Sequence, residues 1–302
     1  MAGEIQSILV SLVVIVMQIA VSLAMGGLDL SLLLIVDIAI IGIQLATYLL
    51  SSGLFCCPRT EKFYDLSGSV TYITAVVISA ALSYKDINVR RVLITVLVCI
   101  WAVRLGGFLF IRIKNTGGSD ARFEKFKSSA VTFLQVWAIQ SLWVFFTLLS
   151  SLTIYLDPPT SLNIPNYVGI AIWAIGFVFE FVADYQKYTY KRKTSGLTSQ
   201  PAAGFISSGL WSISRHPNYF GEIFLWIGIS FLSVKRLEWY WGLLYLLISP
   251  IFVFILIVFI SGVRMDEERK LERFEGNEAY EKYLKDTPAL VPFIGRRGKV
   301  WF

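Results

Sequence analysis

Long apolar runs with almost no charge are what most limits the folds open to this chain. The first, Ile5 to Met25, contains no ionisable residue. About 20 apolar residues in helical form suffice to cross the hydrocarbon core of a bilayer. Eight runs meet or approach that length, near residues 5–25, 30–50, 65–84, 92–111, 130–156, 166–184, 219–234 and 240–263. With 56% of its residues hydrophobic and only 16% charged, the chain does not read as a soluble domain. The expected fold is an all-α integral membrane protein, a helical bundle of about eight transmembrane spans.

Charge sorts the loops into two sides. Of the 27 lysines and arginines, 21 fall in the N-terminal segment, the 51–64 and 112–129 loops, the 185–218 segment and the tail. Five fall in the opposite loops, and Arg104 lies within a span. The basic side is expected to be cytoplasmic and to carry both termini. The membrane would be the endoplasmic reticulum or another organelle in a eukaryote, or the inner membrane in a bacterium. This asymmetry accounts for the net charge of +6 without a nucleic-acid partner; the bilayer itself is the expected partner. Cys56 and Cys57 are adjacent and Cys99 falls inside a span, so neither a disulfide framework nor a zinc spacing is indicated. The first run is span-length and lacks a basic flank, which argues against a cleavable signal peptide. Gly117, Gly118, Gly196 and Gly204 mark turns on the basic side. The tail should be helical over Asp266–Lys285, as an amphipathic cap on the membrane surface.

Ionisable residues at membrane depth are costly, so they face the protein interior or a wet cavity. Asp37, Asp65, Arg104, Glu180, Asp184 and Glu222 are of this kind; Asp29 reads as interfacial. Asp37 is either a substrate or pore group or a buried acid bonded to a neighbouring helix. Arg104 either pairs with Asp65 or Asp37 or, with Arg112 eight residues on, lines a path for an anionic ligand. Glu180, Asp184, Lys187 and Lys191 recur at i, i+4, i+7 and i+11, one stripe of one helix.

The densest polar cluster is Ser214-Arg-His-Pro-Asn-Tyr-Phe-Gly-Glu222, around His216, the sole histidine. Pro217 suits the first turn of a helix, and Arg215, Asn218, Tyr219 and Glu222 then follow one face. A helix N-terminus offers free amides and a positive dipole to phosphate. Arg215 and Lys191 would add charged contacts, so an anionic nucleotide entering from the basic side fits this cluster.

The stretch Gly209-Leu-Trp-Ser-Ile-Ser-Arg-His-Pro-Asn-Tyr-Phe-Gly-Glu222 resembles the C-terminal signature of the steroid 5-alpha-reductase superfamily, closest to its uncharacterised membrane branch. Trp101-x-x-Arg-Leu-Gly, Gly118-Ser-Asp-Ala-Arg122, Ala183-Asp-Tyr-Gln186 and Ser261-Gly-Val-Arg-Met-Asp-Glu-Glu268 extend the likeness over roughly residues 60–295. The resemblance implies later spans that enclose an NADPH cavity and a hydride transfer to an activated alkene of a lipophilic substrate. It implies cofactor contacts at Asn218, Glu222 and Asp184, and a phosphate contact at Lys191. Arg104, Glu180, Trp211, Arg215, His216, Tyr219 and Glu267 join them as candidate cofactor residues. Characterised members hold the substrate carbonyl with a glutamate and a tyrosine. Asp65 and Trp101 fall at those positions here, with Tyr72 or Tyr64 as substitutes for the tyrosine. An indole N–H donates a hydrogen bond but is no general acid near neutral pH.

The expected division is two N-terminal spans over 1–60 and a reductase-like membrane domain over 61–302. The alternatives are an S-adenosylmethionine-dependent membrane methyltransferase, which shares an Arg-His-Pro-x-Tyr pattern, and a non-catalytic subunit of a larger membrane complex.

Overall fold

The computed structural model describes residues 2–25, 30–54, 58–115, 121–156, 158–194, 204–234, 239–295 and 297–298. Asp29, Cys56, Cys57, Gly117, Gly118, Ser119, Asp120 and Gly196 lie outside them. Among the described residues the regular structure is entirely helical. Ten α-helices follow in order: α1 Ala2–Met25, α2 Leu30–Ser51, α3 Tyr64–Leu82, α4 Val89–Asn115, α5 Ala130–Leu156, α6 Ile164–Thr194, α7 Pro217–Ser233, α8 Trp239–Ile255, α9 Val263–Arg273 and α10 Glu278–Asp286. A π-helical turn, Leu256–Ser261, joins α8 to α9. Among the described residues, seven helical stretches are long and apolar enough to cross a membrane: α1 to α6 and the α8–α9 run. The remaining expected span is present as α7, which has only 17 residues. The protein is a multi-pass helical membrane bundle.

The chain forms two compact units, Met1–Asn163 and Ile164–Val234 with Glu238–Phe302. In the first unit α5 packs against α1, α2 and α3, and α3 packs against α4. Asp37 of α2 is resolved as a bonded acid. Its Oδ1 accepts from Gln18 Nε2 at 3.1 Å and its Oδ2 from Ser22 Oγ at 2.8 Å. Ser141 of α5 donates to Gln18 Oε1 at 2.8 Å, so one network stitches three helices. Between α3 and α4, Asp65 Oδ2 lies 3.6 Å from Arg112 Nη2. Arg91, read from sequence as a loop charge, is 2% exposed. It donates to the Ile154 and Tyr155 carbonyls, each at 3.3 Å, satisfying acceptors that the end of α5 leaves without helical partners.

In the second unit α6 and α7 run antiparallel at backbone contact. A Cβ on Gly176 would stand 2.5 Å from Leu225 N, and one on Gly221 would stand 2.5 Å from Glu180 N. Gly169 and Gly228 meet in the same way, with a Cβ on Gly169 only 2.6 Å from Gly228 O. Small residues let membrane helices approach this closely. Beyond them, Asn166 of α6 donates to the carbonyls of Leu232 and Val234, both at 3.0 Å, and closes the far end of α7.

The tail is not one helix over Asp266–Lys285. It breaks after Phe274, where Gly276 adopts φ +74 and Asn277 caps α10 by accepting from Tyr280 N at 3.0 Å. A left-handed glycine ends a helix and an asparagine starts one, so the Gly-Asn pair sets the break. Tyr280 and Leu284 then bury one face of α10 with Phe274 and Phe205.

Gly221→Ala should lower the unfolding free energy by about 1–3 kcal/mol, as overpacking does. Gly42→Ala, where a Cβ meets nothing within 4 Å, should change it by less than about 0.5 kcal/mol. Thermal unfolding of the two purified variants in detergent checks the contrast.

Candidate functional site

The helix pair α6–α7 brings the sequence-predicted residues together. With Gly221 against Glu180, the next turn of each helix sets Asn218 beside Asp184, and Asn218 Nδ2 donates to Asp184 Oδ1 at 3.3 Å. Glu180 and Asp184 are buried at 2% and 7% exposure. The stripe continues up α6 to Lys187, half-buried, and Lys191, exposed. Glu222, half-buried, lies one turn along α7 from Asn218.

The expected helix entry is also present. His216 is the N-cap of α7 and Pro217 occupies its first turn. Before it, the short 3-10 turn Gly209–Ser212 seats Trp211, whose indole Nε1 donates to Ala183 O at 3.1 Å. Gly209 sits at φ +63 against Gln186, whose Oε1 accepts from Leu210 N at 3.0 Å. The ammonium groups of Lys187 and Lys270 stand 5.0 and 5.7 Å from the Trp211 ring centroid, within cation–π reach.

Arg215, His216 and Glu267 form a buried charged cluster, each at most 1% exposed. Glu267 Oε1 lies 3.0 Å from Arg215 Nε and 2.7 Å from His216 Nε2. Arg215 also donates from Nη1 to the carbonyls of Leu284 at 3.0 Å and Gly298 at 2.9 Å. Its Nε and Nη1 are therefore committed within the protein, while Nη2 is not. Burial pushes the His216 pKa down, and the hydrogen bond to Glu267 opposes that shift without reversing it. A neutral His216 facing a carboxylate carries its proton on Nε2. Its Nδ1, 3.6 Å from Asp266 Oδ2, is then an acceptor. Tyr219 stacks on the imidazole at 5.6 Å, with rings 15° apart.

Among the described residues, Arg215 Nη2, His216 Nδ1, Asn218 Oδ1 and Glu267 Oε2 are buried with no hydrogen-bond partner. They include both a donor and acceptors, the polar groups that a bound ligand would pair. Sequence reasoning missed Asp266 and Lys270 of α9, which pair at 2.7 Å beside His216. It also missed the tail carbonyls on Arg215. Both are joined to the motif only by contacts far apart along the chain.

The other candidates, Asp65, Tyr72, Trp101 and Arg104, lie in the first unit, on α3 and α4. Tyr72 and Trp101 are buried and meet edge to face, with centroids 5.0 Å apart and rings at 89°. Tyr64 packs instead into an aromatic cluster with Phe123 and Trp137.

A Delta(14)-sterol reductase of Mus musculus is 26% identical to the chain over 162 residues, 50% of this chain and 36% of that protein. The chain thus matches little more than a third of that relative's length. No solved structure matches the chain. A family model described as "Protein of unknown function (DUF1295)" matches residues 55–287, most of the chain. The protein therefore belongs to the DUF1295 family.

Proposed function

We propose that the protein is a membrane-embedded, NADPH-dependent reductase that saturates a carbon–carbon double bond of a lipophilic, steroid-, isoprenoid- or lipid-like enone. The observation that carries this reading is the set of buried, unpaired polar atoms on Arg215, His216, Asn218 and Glu267 beside Asp184. The motif likeness to the steroid 5-alpha-reductase superfamily and the identity with a sterol reductase support it.

The residues fit a dinucleotide. Asn218 Oδ1 is an acceptor, held in place because its own amide donates to Asp184. Arg215 Nη2 is a cationic donor with no partner among the described residues. Lys191 and Lys187 extend the positive charge along α6 for phosphate. Trp211, Tyr219, Glu180, Glu222 and Glu267 hold these groups in register. When bound, the nicotinamide supplies the hydride; the protein supplies orientation and electrostatics. Asp65, Trp101 and Tyr72 take the carbonyl-binding role. Among them the Trp101 N–H can only donate a hydrogen bond, so Tyr72 is assigned as the proton donor. Arg104 takes the part of a supporting charge.

NADPH at about 100 times its Kd should stabilise the purified protein by about 2.7 kcal/mol. Asn218→Ala and Glu222→Ala should each remove that stabilisation in a thermal-shift assay. Retention of the wild-type shift by both variants would sink the assignment.

Tyr72→Phe should leave the NADPH-induced shift intact and slow turnover of a lipid enone by about 10²-fold or more, the usual share of a general acid. Undiminished turnover would remove Tyr72 from the mechanism.

Burial lowers the folded pKa of His216, which fixes the sign of a pH effect. Neutral His216 contributes stability above the unfolded value of about 6.5. That contribution falls away as pH drops from there towards the lower folded pKa, by at most about 1.4 kcal/mol per pH unit. Melting curves between pH 8 and pH 5 should show this loss. His216→Gln should flatten it.

A further inference from the structure

The segment beyond α10 runs back along the entry to α7. Arg215 N donates to Pro288 O at 2.9 Å, Ser214 Oγ donates to Leu290 O at 2.7 Å, and Phe293 N donates to Ile213 O at 3.1 Å. These bonds pin residues 288–293 within one helical turn of Pro217. That level is the N-terminal end of α7. The opposite end of α7 is closed by Asn166, and the 17 residues between span about 25 Å, close to a hydrocarbon core.

At this pinned position the apolar side chains turn outward. Val291 is 42% exposed, and Phe293 and Ile294 are each 70% exposed. Ile294 N donates to Val291 O at 3.2 Å, closing a tight turn. Phe293 takes φ +65, a left-handed conformation that a bulky side chain rarely adopts. The backbone thus accepts strain at a place where the ring gains no burial within the protein. Arg297 follows and is exposed. In sequence it lies between Arg296 and Lys299, and no acidic residue occurs from Thr287 to Phe302.

We infer that the 291–294 turn is a surface anchor for the bilayer that the chain itself spans. Val291, Phe293 and Ile294 enter the interfacial layer of an anionic leaflet, and Arg297 meets the lipid phosphates. An apolar insertion flanked by cationic residues is the combination that binds such a surface. Three side chains at a tip are too small for a stable protein interface. The same bonds that position the turn also reach Ser214 and Arg215, so anchoring holds the entry to α7 in place. This inference does not depend on the proposed reductase activity.

The test places an environment-sensitive NBD label at Phe293→Cys, and separately at Glu278→Cys on the exposed side of α10, with Cys56, Cys57 and Cys99 changed to serine. Both proteins are reconstituted in nanodiscs of phosphatidylcholine alone or with phosphatidylglycerol. At position 293, phosphatidylglycerol discs should give a blue-shifted, several-fold brighter emission that spin-labelled lipid quenches, with a weaker response in phosphatidylcholine. Position 278 should stay solvent-like in both. Solvent-like emission at 293 in phosphatidylglycerol discs overturns the anchor. Equal insertion in both lipids overturns the anionic surface as its partner, and a blue shift that spin-labelled lipid leaves unquenched assigns the tip to protein instead. The unmodified chain gives a second measurement: tryptic cleavage after Arg297 should slow several-fold in phosphatidylglycerol discs, and equal rates in the two lipids count against the proposal.

Discussion

The second unit depends on the contact between α6 and α7, where backbone meets backbone. Gly169 and Gly176 on one helix and Gly221 and Gly228 on the other leave no room for a side chain. Such proximity fixes both the separation and the register of the pair. Register is what matters for the polar end, because a slip of one residue would turn Asn218 away from Asp184. Without water to reward apolar association between helices, packing of this kind carries the assembly.

A second constraint lies at the polar end. Glu267 shares one carboxylate oxygen between Arg215 and His216, all three enclosed. A buried charge of this sort is tolerated only if its partners stay in place. The tail supplies that condition by putting carbonyls of Leu284, Pro288 and Gly298 around Arg215. The charged centre and the C-terminal segment are therefore one structural unit, though about seventy residues separate them in the chain.

Much of this was legible in the sequence because membranes punish exceptions. Apolar runs announced the helices, and polar residues at their ends announced the cluster from Asp184 to Glu222. Pro217 marked the start of α7 correctly. Other features follow from local chemistry that went unread. Glycines seven residues apart on two successive helices signalled their contact, and Gly276-Asn277 signalled the break in the tail. What stayed hidden rests on tertiary proximity. Nothing near Arg91 in the chain predicts that it caps α5, and nothing near Lys270 predicts its place beside Trp211.

None of the residues of α7 is exposed, whereas α6 carries several exposed apolar side chains, among them Ile175, Val178 and Phe181. The outer face of the second unit is therefore formed more by α6 than by the helix that carries Asn218 and Glu222. Differences in bilayer thickness act on a membrane protein through the helices that touch lipid, which tilt or are met by local thinning. A helix so little exposed feels such adjustment less than α6 does, so the depth of the polar cluster follows α6 more closely than the lipid.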